Sequence, residues 1–224
     1  MTESKSKREI LREKRNERKR RQTITFVAIS LAAILLIALA VILPRILVSR
    51  TKYDNTDGFS VGDPNAPIKV QEFTDYLCSH CKQFALYYEE DFIRTYVESG
   101  DVYFTFVNFP FMHEDSFRGA EASYCAADQN RFYEYKDFLF NYAGYAGAFS
   151  DESLISYAAT AGLDTDAFEE CLLTGVYAEA YINDLNYGQS VGIQGTPSFL
   201  VNGSIVSSAD LIPLVESLIA DLEE

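Results

Sequence analysis

Basic residues are scarce over most of this 224-residue chain. Of its 19 Lys and Arg, only nine lie beyond Leu43, against 29 Asp and Glu. That stretch carries a charge of about −20 at neutral pH, which repels phosphate backbones and excludes a nucleic-acid-binding role. Histidine is scarcer still, with two copies, and cysteine has four. A four-ligand zinc site could draw only on Cys78, Cys81, His80 and His113, and the two histidines lack the spacing of paired ligands. Covalent haem attachment needs histidine directly after a CxxC pair, and Lys82 stands there instead. No metal site and no internal repeat emerge from the pattern.

Long apolar runs are also rare. The exception is Ile24 to Leu43, twenty residues without a charge. A helix of that length spans about 30 Å, the hydrocarbon thickness of a bilayer. Lys14, Arg15, Arg18, Lys19, Arg20 and Arg21 crowd its leading edge, while only Arg45, Arg50 and Lys52 follow closely. The positive-inside rule then keeps residues 1–23 in the cytoplasm as a basic tail and places the rest across the membrane. A cleaved signal peptide competes with this reading. Its apolar core would be shorter, and the exit at residues 39–43 lacks a small-x-small site. The expectation is therefore a single-pass cell-membrane anchor over 24–43. Residues 44–62 follow as a polar linker, with Lys52, Asp54, Asn55, Thr56, Asp57 and Gly58. A domain over 63–224 lies outside the cytoplasm.

Within that domain, residues 68–74 mix alternation with β-branched side chains and read as a strand. Helical spacing runs from Cys81 to Val97, and residues 102–107 form the next strand, a βαβ unit. A block of four or five helices occupies about 114–190, with starts signalled at Ser150 and Asp164. Residues 197–201 and 204–206 read as strands joined by Asn202–Gly203, a two-residue hairpin signal. A helix from Ser208 closes the chain.

Cys78–Ser79–His80–Cys81 falls at a strand-to-helix junction. Disulfide exchange needs one thiol that is largely thiolate near neutral pH and a second close enough to resolve a mixed disulfide. At a helix N-terminus, unpaired N–H groups and the macrodipole favour the anion of the leading cysteine. The His80 ring is a further candidate to favour it. A purely structural disulfide of this spacing is sterically demanding.

The segment Glu72-Phe-Thr-Asp-Tyr-Leu-Cys78-Ser-His-Cys81, with Gly195-Thr-Pro197-Ser-Phe-Leu-Val-Asn-Gly203 downstream, resembles the DsbA-like branch of the thioredoxin superfamily. It is most similar to the membrane-anchored BdbD-like members, over roughly residues 58–222. The resemblance implies an α/β thioredoxin fold with an inserted helical domain. It implies a thiol–disulfide oxidoreductase that introduces disulfides into exported proteins and needs no soluble cofactor. Its partners would be exported substrates with free cysteines and a quinone-linked membrane oxidase of the DsbB or VKOR kind. Cys78 would be the exposed nucleophile and Cys81 the buried resolving thiol. Pro197 would be a cis-proline, with the backbone at Thr196 pairing with substrate. Glu72 would be a buried acid beneath the pair; the alternative is an outward-facing strand residue. Ser79 replaces the more common proline, which leaves the strength of oxidation open. Some members carry a second disulfide in the insertion, and a Cys125–Cys171 bridge is expected. Two separately buried thiols are the alternative. A reductase or isomerase, or a non-catalytic binding or chaperone module, are the rival functions at this stage.

Overall fold

The computed structural model describes Thr25, Phe26, Ser30, Ala33, Lys52, Tyr53 and residues 55–223. The chain divides into two units, residues 1–50 and 51–224. The basic tail and nearly all of the 24–43 segment lie outside the described residues. Among the described residues no helix is long and apolar enough to cross a membrane.

The second unit is built on a six-stranded sheet. Its strands are β1 (Thr56–Asp57), β2 (Ser60–Val61), β3 (Ile68–Thr74), β4 (Val102–Asn108), β5 (Ser198–Val201) and β6 (Ser204–Val206), in the spatial order β1-β2-β4-β3-β5-β6. Strands β3 and β4 run parallel, with Glu72 opposite Phe106; β5 joins β3 antiparallel, with Glu72 opposite Phe199. β3 is thus central, covered on both faces. Ile68 and Val70 enter the main core, while Phe73 joins a smaller cluster with Val107, Phe109 and Ile193 on the other face. Alternation puts Glu72 on the same side as Ile68 and Val70.

One expectation is corrected here. The polar stretch 44–62 is not a free tether to its end, because β1 and β2 add an antiparallel hairpin to the edge of β4. Its composition is that of a loop, but the Phe59 ring packs 4.6 Å from Phe132 and 4.7 Å from Tyr124. The Phe59 carbonyl accepts hydrogen bonds from the Phe106 N–H and the Tyr133 hydroxyl. A single aromatic anchor and a backbone ladder outweigh the polar neighbours.

Helix α1 (Ser79–Tyr87) follows β3, and α2 (Glu89–Phe92) continues into a π-helical turn at Ile93–Val97. The expected single helix to Val97 is therefore interrupted at Tyr88, whose φ of −123° departs from helical geometry. The insertion holds α3 (Glu114–Ala127), α4 (Phe132–Tyr142), α5 (Asp151–Thr160), α6 (Thr165–Thr174) and α7 (Ala180–Ser190). Ser150 and Asp164 cap α5 and α6 as expected, each side chain accepting from the first turn. Helix α7 approaches the sheet closely at Gly188, where a Cβ would meet the Phe109 ring at 2.6 Å. The hairpin between β5 and β6 turns on Asn202 and Gly203, both at positive φ. Helix α8 (Ser208–Glu223) buries Leu211 and Val215.

Cys125 on α3 and Cys171 on α6 are joined in a disulfide, 46 residues apart in sequence. Cross-linking a loop of that length removes unfolded-state entropy worth about 3–4 kcal/mol. The double variant Cys125→Ala/Cys171→Ala is expected to unfold in urea with stability lower by about that amount. Its Cys78 chemistry should be unchanged, because the bridge lies wholly within the insertion.

Candidate active site

The end of β3 and the start of α1 bring the redox pair together. Cys78 is the N-cap of α1, at φ −72° and ψ 119°, and its Sγ accepts from the Cys81 N–H at 3.4 Å. One helical turn thus points both sulfurs the same way. Cys78 and Cys81 are free thiols. Cys81 is fully buried and Cys78 keeps only 7% of its surface. The expected exposed nucleophile is therefore a narrowly accessible one. The Thr196–Pro197 segment, whose peptide bond is cis, lies against it. The Cys78 thiol donates to the Thr196 carbonyl at 3.3 Å.

The two sulfurs are chemically unequal. Cys78 is pulled down to about 5, first by a hydrogen bond from the Cys81 thiol. The backbone N–H groups of Cys81 and His80 add to this, against a burial penalty. Cys81 is pushed far upward, first by burial and then by the hydrogen bond its thiol donates to Cys78. The ring of His80 points to the surface, where it lines a cavity of about 380 Å³ with Gln83, Phe84, Tyr88, Ser208, Ala209 and Ile212. Among the described residues no ring hydrogen bond reaches Cys78; the residue acts on the sulfur through its backbone N–H.

Glu72 is fully buried, as the resemblance implied, and is not an outward-facing strand residue. Among the described residues neither carboxylate oxygen has a hydrogen-bond partner. Burial holds its proton affinity well above the usual carboxylate range; Glu89 raises it further and Lys136 opposes.

Sequence reasoning missed three residues. Asp75 is buried and collects four hydrogen bonds. One carboxylate oxygen accepts from the Leu77 N–H and the Ser116 hydroxyl, the other from the Phe111 and Met112 N–H groups. Its backbone carbonyl accepts from the Cys78 N–H at 3.0 Å. Asp75 so ties the redox loop to the entry of the insertion. Glu89 and Lys136 are both fully buried and form an ion pair at 2.8 Å. Their signal was an ionisable residue on an apolar helical stripe. Lys136 follows Phe132 and Tyr133 by four and three positions and precedes Phe140 by four, and all three are buried. Among the described residues no His, Cys, Asp and Glu cluster is suited to a metal.

A thiolate at a helix N-terminus, a buried thiol one turn on, and a cis-proline loop across them define a thiol–disulfide oxidoreductase. The family model described as Thioredoxin matches residues 54–220, well over half the chain. The protein belongs to the thioredoxin family. It is 29% identical over 154 residues to the probable disulfide bond formation protein D of Bacillus cereus, covering 66% of this chain and 71% of that one. Its fold matches the crystal structure of BdbD from Bacillus subtilis with a TM-score of 0.66 and 24% identity, over 78% of this chain and 97% of that chain. The match to Chlamydia trachomatis DsbA has the same TM-score and 20% identity, covering 77% and 95%.

Titration of the reduced protein by thiolate absorbance is expected to show one cysteine with a midpoint near pH 5, lost in Cys78→Ser. The sign for stability follows. Cys78 titrates near 5 when folded, below the ordinary 9.0, so its ionisation favours the folded reduced state fully above pH 9. That contribution disappears as the pH falls through about 5. The melting temperature of reduced minus oxidised protein should therefore rise between these limits; a pH-independent difference would contradict the assignment.

Proposed function

We propose that this chain is an extracytoplasmic disulfide oxidase, anchored to the cell membrane by residues 24–43, that introduces disulfides into exported proteins. The observation that carries this reading is the inequality of the two thiols. A depressed Cys78 makes a good leaving group, which makes the Cys78–Cys81 disulfide a strong oxidant. The name shared by the Bacillus relatives, disulfide bond formation protein D, supports the same direction.

The electrons balance as follows. A substrate thiolate attacks Cys78 Sγ of the oxidised pair; the substrate–Cys78 bond forms and the Cys78–Cys81 bond breaks. Cys81 leaves with the electron pair and, being a poor anion in its buried position, takes a proton from Glu72. A second substrate thiolate then attacks the substrate sulfur of the mixed disulfide. The substrate is oxidised by two electrons, and Cys78 departs as a thiolate that needs no proton. The backbone at Thr196, beside Cys78, is the segment proposed to pair with the substrate around its cysteine. The cavity beside His80, with Phe84, Tyr88 and Ile212 in its lining, suits apolar side chains of an unfolded chain.

The pair leaves each cycle reduced and must be reoxidised. A quinone-linked membrane oxidase of the DsbB or VKOR kind is the proposed partner, since a membrane anchor would hold both in one plane. The basic flank and uncharged run of residues 14–43 support the anchor.

Oxidised protein mixed with a reduced two-cysteine peptide is expected to close the peptide bridge stoichiometrically, and Cys78→Ser should abolish this. A wild-type protein that reduces insulin but does not oxidise the peptide would reverse the direction assigned. For topology, protease added to intact protoplasts is expected to degrade the domain. Protection until lysis would overturn the extracytoplasmic placement.

A further inference from the structure

Beneath the redox pair lie three ionisable side chains with no exposed surface: Glu72 on β3, Glu89 on α2 and Lys136 on α4. Uncompensated charge in such a place is very costly. One ammonium can balance one carboxylate, so neutrality leaves one of the two acids protonated. The distances decide which. Lys136 Nζ makes an ion-pair contact of 2.8 Å with Glu89 Oε2, outside hydrogen-bond geometry, whereas the Glu72 oxygens have neither a hydrogen bond nor an ion pair among the described residues. Glu89 therefore carries the negative charge and Glu72 the proton.

We propose that Glu89, held as an anion by Lys136, is a positioning residue that keeps the Glu72 proton in place for delivery to Cys81. The idea rests on the disulfide-exchange reading above and deepens it. The thioredoxin core supplies Glu89, and the inserted helical domain supplies the cation. The insertion thereby takes part in the chemistry of a pair carried by the core.

The surroundings of each group support this division. Glu72 faces Glu89 from α2, Lys136 and Tyr133 from α4, and Cys78 and Tyr76 from the redox loop. The neighbouring strands offer it only Phe106 and Phe199 in register. Lys136 also lies 3.3 Å from Asp137, which pairs with Lys52 at 2.6 Å, and both of these reach solvent. Its Nζ lies 5.8 Å from the Tyr133 and Phe140 ring centres. Glu89 is influenced by Lys136, Lys52 and Asp137. When Glu72 gives up its proton, the Lys136 ammonium becomes the nearest compensating charge for two carboxylates. That state is the strained one, and it favours recapture of a proton by Glu72 once the cycle ends.

The test is the opening of the oxidised pair by glutathione in stopped flow, followed against pH and corrected for the glutathione thiolate fraction. This needs no protein substrate, and it separates the two readings. A wild-type disulfide inert to glutathione would sink the oxidoreductase reading itself. With an active wild type, the corrected rate should fall at the pH where Glu72 loses its proton. Glu89→Gln removes the charge that holds that proton and leaves Lys136 facing Glu72. Its falling limb should move to lower pH by about one unit or more. Adding Lys136→Met to Glu89→Gln removes the cation as well and should bring the limb back up. Coincident limbs for wild type and Glu89→Gln, or no upward return in the double variant, would overturn the proposal. A purely structural ion pair would lower stability and leave the limb in place. Should Glu89→Gln fail to fold, infrared spectra settle the proton's position. The carboxylic-acid carbonyl band of the wild type at neutral pH should be absent in Glu72→Gln, and its persistence there would place the proton elsewhere.

Discussion

The site depends on one shared proton. Cys81 gives its S–H to Cys78, and that hydrogen bond is the largest influence on the Cys78 thiol. One donation separates two chemically identical side chains into a ready anion and a stubborn acid. The remaining architecture serves it. The helix N-terminus adds backbone N–H groups, and the sheet buries Cys81 so that its proton stays put. The loop at Thr196 lies against Cys78, which keeps only 7% of its surface.

Asp75 and Glu72 stand three residues apart and do opposite work with the same functional group. Asp75 meets four donors and fixes backbone. Glu72 meets none among the described residues and holds a proton. Hydrogen-bond supply, not burial, separates the two roles, since both side chains are almost wholly out of solvent. Burial without a donor keeps Glu72 an acid.

Much of this was legible in the sequence. The spacing of Cys78 and Cys81 after an alternating strand, the Asn202–Gly203 turn, and the caps at Ser150 and Asp164 are local signals, and local hydrogen bonds realise them. The resemblance placed Pro197, Thr196, Glu72 and the Cys125–Cys171 bridge. The edge hairpin at residues 56–61 was hidden, because its order comes from Phe59 meeting rings far along the chain. Glu89 and Lys136 were hidden for a related reason. Each contradicts the apolar stripe it sits on, and the contradiction resolves only when α2 and α4 are seen to lie together. The outward turn of the His80 ring also depends on tertiary packing, here of α8 beside α1.

The bridge between α3 and α6 bears on how the protein comes into being. Four cysteines admit three pairings, and the chain emerges with the reactive motif first. A thiolate at Cys78 attacks disulfide sulfur, so the Cys125–Cys171 bridge is a substrate within its own chain wherever it is exposed. Folding of α3 against α6 settles the matter by sequestration: Cys125 is buried and already bonded once the insertion has formed. The maker of disulfides is therefore also its own first hazard. Its own bridge survives because the Cys125 sulfur is buried within the helical block.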